Sequence, residues 1–185
     1  PGATATDASA RLMNRRRFLA GAGVTAAAIG AGALYWPNRW QYIVIHHSAG
    51  SFGTIEFLQR VHRDRQAGDP VDAIPYHYVI GNGNGLGMGE VASDLRREYN
   101  LWGMHVSANN TLKNFNGIGI CLIGNFETTD VPAPQFQALV SLTRSLMQAH
   151  DIPVGNVMFH GRIRGESTRC PGARFPYDRL RKAIT

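Results

Sequence analysis

The stretch QYIVIHHS, residues 41–48, decides how this chain is read. Its β-branched and aromatic residues make a strand, and the run stops on two histidines just before a small-residue turn. Three other runs have the same character. IPYHYVIG (74–81) reads as a second strand, GIGICLIG (117–124) as a strand buried on both faces, and VMFH (157–160) as a short last strand. Helical patterns lie between them. Thr54 caps a helix running to about Gln66, with Ile55, Leu58, Val61 and His62 on one face. Residues 133–150 give the clearest helix, where Phe136, Leu139, Val140, Leu142, Thr143, Leu146 and Met147 form a broad apolar stripe. NGNG at 82–85 is a turn signal that predicts a hairpin partner near 86–91. Residues 94–116 are mixed and polar and read as a long functional loop with a short helix. Strands alternating with helices give an α/β fold.

The 185 residues are enough for one domain with a hydrophobic core, and 44% hydrophobic with 17% charged residues is a globular composition. The formal charge is +6, but from Leu34 onward 15 Lys and Arg stand against 12 Asp and Glu, a net of +3. That mild balance suits an anionic polymer such as a cell wall. With no aromatic-basic motif it does not argue for nucleic acid. The two cysteines, Cys121 and Cys170, give no disulfide framework. Cys121 lies inside an apolar strand and reads as a small core residue.

The N-terminal part reads as an export segment. NRRRFL at 14–19 precedes an Ala/Gly-rich stretch, an arrangement similar to a twin-arginine signal. AGA at 31–33 resembles a cleavage site, while Phe18 to Trp36 is just long enough to span a bilayer. A cleaved signal, an uncleaved membrane anchor and a buried helix all remain open. The expected division is an upstream segment 1–12, a signal or anchor 13–36, and a functional domain 40–185. The expected location is the periplasm or cell envelope, and the expected oligomeric state is a monomer.

The chemistry centres on His46, His160 and Cys170. Both histidines end apolar strand runs, where sites in such sheets collect. Cys170 sits ten residues after His160 in a loop framed by glycine and proline. Two imidazoles and a thiolate can bind zinc and leave a fourth position open, the catalytic rather than the structural pattern. Zinc would bring the pKa of a bound water to about 7. The alternatives are packing histidines with a free thiol, or a Cys170–His160 nucleophilic pair.

VIHHSAG, IPYHYVIG, GIGICLIGNF and HGRIRGESTRCPGARFP, in this order and spacing, resemble the zinc-dependent N-acetylmuramoyl-L-alanine amidases of the peptidoglycan-recognition and phage-lysozyme type. The resemblance covers about residues 41–177. It implies a central mixed β-sheet flanked by helices, with zinc (Zn2+) in a surface groove. It further implies hydrolysis of the amide between N-acetylmuramic acid and L-alanine in peptidoglycan or muropeptides. By position it makes His46, His160 and Cys170 the zinc ligands, with His47 turned to the opposite face. Tyr76 matches the active-site tyrosine, and Thr168 falls where the family carries lysine or threonine beside the reacting carbonyl. His105 matches the histidine that lines the substrate groove, and Asn116 is expected to order the groove wall as a substrate-binding residue. Cys121 departs from the cytosolic branch, which carries a carboxylate base in that strand. A peptidoglycan-binding receptor without catalysis is the alternative function; such members lack the cysteine ligand.

Overall fold

A computed structural model describes Gly32 and residues 35–66 and 68–185. The chain divides into two units, 1–39 and 40–185. In the first, Trp36–Asn38 make a 3-10 turn, and the Arg39 guanidinium stacks 4.1 Å from the Trp36 ring centre. The twin-arginine-like stretch lies outside the described residues. Among the described residues no helix is long and apolar enough to cross a membrane.

Residues 40–185 build a five-stranded mixed sheet. The strands are β1 (Tyr42–His47), β2 (Tyr78–Ile80), β3 (Val91–Ser93), β4 (Gly117–Leu122) and β5 (Val157–Phe159). Their order is β3-β2-β4-β1-β5, with only the β2–β3 pair antiparallel. Parallel neighbours need crossovers, and the helices before β5 lie in them, while a last helix follows β5. These are α1 (Ile55–Arg63), α2 (Leu95–Glu98), α3 (Thr111–Phe115), α4 (Ala133–His150) and α5 (Tyr177–Ile184).

Strand alternation divides the core into two. Ile43 and Ile45 of β1 and Ile118, Ile120 and Leu122 of β4 pack with Phe136, Leu139 and Leu146 of α4 and Leu180 and Ile184 of α5. Each such fully buried side chain is worth roughly 1.5–3 kcal/mol of transfer energy. The opposite face carries a smaller cluster of Leu58, Ile74, Tyr76, Val79, Cys121 and Ile123, and a third of Val44, Val106 and Ile163. β4 is buried along its whole length, as its unbroken apolar run requires.

α4 coincides with the predicted helix, and Thr54 caps α1 by accepting from the Phe57 N–H at 3.1 Å. Two expectations need correction. The run 74–81 ladders only over Tyr78–Ile80. Pro75 has no N–H to donate, and the Ile74 N–H instead goes to the Asp94 carboxylate at 3.1 Å. The NGNG turn is not a tight hairpin either. The Asn82 and Asn84 side chains donate to the Ser51 carbonyl at 2.9 and 3.0 Å, and Leu86 N–H donates to Gly53 at 2.9 Å. The loop therefore pairs with residues 51–53, and β3 begins only at Val91.

The 94–116 connection holds two short helices and a buried arginine. The Arg96 guanidinium donates to the Ile74 carbonyl at 2.8 Å and the Trp102 carbonyl at 2.5 Å, and forms an ion pair with Asp69. A buried cation needs all of these partners. Together they tie this connection to the segment before β2.

Candidate functional site

The site forms at the C-terminal end of β1. His46 stands in register with Cys121 of β4, on the face that carries Val44 and not Ile45. One residue further, His47 turns to the other side, where its Nδ1 accepts from the Phe126 N–H at 3.2 Å. β5 ends at Phe159, and His160 opens a 3-10 turn beside β1. The chain then loops back, and the Cys170 carbonyl receives the Gly161 N–H at 2.6 Å. This closure brings the Cys170 sulfur to within 4.8 Å of a His160 ring nitrogen.

Three donor atoms converge there, one each from His46, His160 and Cys170, all within 4.8 Å of one another. The two Nδ1 atoms are 3.1 Å apart, and Cys170 Sγ is 3.8 Å from His46 Nδ1. A tetrahedral zinc with ordinary bond lengths needs separations of about 3.3 Å between nitrogens and about 3.6 Å from nitrogen to sulfur. The donor set fits the ion. His46 is 1% exposed and Cys170 7%, while His160 is half-buried and forms the open side.

Electrostatics point the same way. Burial, reinforced by His105 and His160, holds His46 well below the ordinary imidazole range, so it is neutral and able to ligate. Burial also depresses His160, though its bond to Glu166 pulls the other way. Burial pushes the Cys170 thiol up to about 12, against the His47 N–H that points at its sulfur from 3.3 Å. A cation beside the sulfur would reverse that balance, because bound thiols give up their proton.

Tyr76 lies against this group. Its ring centre is 5.1 Å from that of His46, and the His62 ring packs edge-on against it at 5.6 Å. Tyr76 is 8% exposed and packs in one buried cluster with Cys121. Burial raises both groups well above their ordinary values. Thr168 is on the exposed part of the loop, where its hydroxyl accepts the Cys170 N–H at 3.2 Å.

The two expected groove residues are placed elsewhere. His105 is 5% exposed and sits behind His46, its Nδ1 3.1 Å from His46 Nε2. It packs over Gly119, where no side chain blocks it. Asn116 is buried at the start of β4, and its carbonyl accepts the N–H groups of Gln41 and Tyr42 at 2.8 and 3.2 Å. Tyr42 precedes His46 by four residues, roughly 13 Å along a strand, so Asn116 orders the far end of the sheet. Sequence reading missed Glu166, whose carboxylate meets His160 Nε2 at 3.0 Å. Its bonds with Ser107 and Asn110 lower its pKa, against the opposing effect of burial. The only signal was a glutamate in the same loop as Cys170.

Residues 36–173 match the family model described as N-acetylmuramoyl-L-alanine amidase. The chain belongs to that family. A curated relative, peptidoglycan-recognition protein SC2 of Drosophila melanogaster, is 27% identical over 143 residues, covering 73% of this chain and 70% of its own. Among solved structures, the N-acetylmuramoyl-L-alanine amidase LysC from Clostridium intestinale superposes with a TM-score of 0.63 at 25% identity, over 80% of this chain and 87% of that one. Bumblebee PGRP-SA shares the fold, with a TM-score of 0.57 at 21% identity over 76% of this chain and 80% of its own. The central mixed sheet flanked by helices is thus the fold of this family.

Proposed function

We propose that this chain is a zinc-dependent amidase that hydrolyses the bond between the lactyl group of N-acetylmuramic acid and L-alanine in peptidoglycan. The observation that carries the reading is the convergence of His46, His160 and Cys170 at one strand end, in a chain of the amidase family. Zinc held by these three would polarise the scissile carbonyl and make a water nucleophilic at neutral pH.

The chain's own residues do the rest. Tyr76 stays protonated at every physiological pH, because burial raises its pKa, and it stands beside His46. It can therefore direct its hydroxyl to the oxygen that gains charge as the amide is attacked. Thr168 uses its oxygen on the backbone of Cys170 and keeps its hydrogen to donate. Cys121, the neighbour of His46 in the sheet, is held as a neutral thiol and cannot take up the water's proton. Export through the segment 13–36 would place the enzyme where its polymer is.

The test is metal content and stem-peptide release from purified sacculi, with and without a chelator. One zinc per chain and chelator-sensitive release are expected. Cys170→Ser should lose most of both, since a hydroxyl is a far poorer zinc ligand than a thiolate. Full activity in metal-free protein would replace this reading with a cysteine hydrolase built on Cys170 and His160. A zinc-loaded protein that binds sacculi and releases no peptide would make it a receptor.

A further inference from the structure

We propose that Glu166 and the segment His105–Asn110 form one brace that holds both ligand histidines, fixes which ring nitrogen of each carries the proton, and thereby sets metal affinity. The inference rests on the reading of His46, His160 and Cys170 as metal ligands. It makes His105 and Glu166 positioning residues.

The argument begins at a backbone carbonyl. His105 Nε2 lies 3.3 Å from the Gly117 oxygen, which can only accept, so the ring hydrogen is on Nε2. A neutral imidazole has one ring hydrogen, so Nδ1 of His105 is a lone pair. That lone pair faces His46 Nε2 at 3.1 Å, and the His46 hydrogen must be there. His46 Nδ1 is left bare, on the side of Cys170 and His160.

The second arm runs through a charge. Glu166 accepts from Ser107 N–H at 3.1 Å, Ser107 Oγ–H at 2.8 Å and Asn110 Nδ2–H at 2.7 Å. Its side chain is only 3% exposed, so these donors and His160 replace its water. A carboxylate cannot donate, and the His160 hydrogen therefore sits on Nε2, 3.0 Å from Glu166. His160 Nδ1 is bare as well. Two bare nitrogens thus face one another at 3.1 Å with no hydrogen between them. A cation is what such a pair takes.

Both arms start from the same few residues. Asn114 Oδ1 holds the N–H groups of His105 and Val106 at 2.9 and 3.0 Å, which fixes the segment at its root. Ser107 and Asn110 then reach Glu166, while His105 reaches His46. Outer partners of this kind orient a ligand ring and raise its basicity.

Glu166→Gln is the sharpest test. It keeps the size of the side chain but puts an NH2 group among four donors. Zinc affinity is measured by competition with a chromophoric chelator, with circular dichroism as the check on folding. The expected loss is about 10- to 100-fold, the usual range for removing such a partner. In metal-free protein, NMR should show a slowly exchanging His160 ring N–H in the wild type and none in Glu166→Gln. Glu166→Asp, which restores the charge, should recover part of the affinity. A purely structural glutamate would lower the melting temperature and leave the affinity of the folded protein alone. Folded Glu166→Gln with affinity within threefold of wild type overturns the proposal. If that variant does not fold, Ser107→Ala carries the test, with a smaller loss expected and unchanged affinity overturning it. A wild-type chain that takes up no zinc removes the metal reading and the brace together. A chain that binds zinc through the brace and cleaves no peptidoglycan leaves the brace standing and removes the amidase.

Discussion

Gly119 looks like an ordinary strand residue, yet the position of His105 depends on it. A Cβ at residue 119 would lie 2.6 Å from His105 Cδ2, 2.8 Å from Cγ and 3.1 Å from Nε2. Carbon atoms need about 3.5 Å, so Gly119→Ala must drive the ring back by roughly 0.9 Å. The ring is also close-packed against Gly103, where a Cβ would strike it as well. The His46–His105 contact of 3.1 Å cannot survive that shift. Overpacking costs about 1–3 kcal/mol. A lost buried hydrogen bond adds about 1 kcal/mol. The sum of roughly 2–4 kcal/mol lowers the melting temperature of a domain this size by about 5–15 °C. Gly155→Ala is the control, because its Cβ would meet nothing within 4 Å and the substitution should be close to neutral. Both variants are melted without metal, and zinc affinity is then measured. A Gly119→Ala protein that melts within 2 °C of wild type would refute the close packing of His105 and the relay built on it.

Two more expectations follow. Tyr76→Phe should keep its zinc and its KM while kcat falls about 100-fold or more, the scale for removing one oxyanion donor; a kcat within threefold of wild type would take Tyr76 out of the chemistry. Burial brings the folded-state pKa of His105 down to about 3. Below its ordinary value near 6.5 the unfolded chain therefore takes up a proton that the folded chain refuses. Metal-free protein should lose stability as pH falls from about 6.5 toward 3, by about 1.4 kcal/mol per pH unit from this group alone. Urea midpoints at pH 7.5, 6 and 5 measure the slope, and equal midpoints would contradict it.

The three converging donor residues were legible because each announces itself locally. His46 and His160 end apolar runs, and Cys170 is a cysteine in a Gly/Pro-framed loop, where packing gives it no reason to be. The long helix 133–150 was legible from its apolar period for the same reason. The brace was not. Glu166 gains its meaning from Ser107 and Asn110, 59 and 56 residues earlier in sequence, and no periodicity connects them. His105 reads as a loop histidine in WGMHVS until Gly119, on a different strand, opens the space that buries it. Arg96 likewise passes for a surface charge in LRRE, and only the meeting of Ile74, Trp102 and Asp69 makes it internal. Strand shortening at Pro75 was readable in principle, since a proline inside a strand pattern cannot donate to the ladder.

The energetics of the site bear on the choice between enzyme and receptor. A surface that only recognises peptidoglycan has no need to bury three imidazoles, a carboxylate and a thiol within reach of one another. Each is costly here. His46 and His105 are kept from protonating, the Cys170 thiol is pushed up to about 12, and Glu166 has exchanged water for four donors. Two bare nitrogens 3.1 Å apart add repulsion. A divalent cation would offset these costs at once, stabilising the thiolate and accepting both lone pairs. Such an ion would be approached from the side of half-buried His160, since His46 and Cys170 are buried. In the proposed amidase that is the side from which a carbonyl would come, with Tyr76 packed against His46.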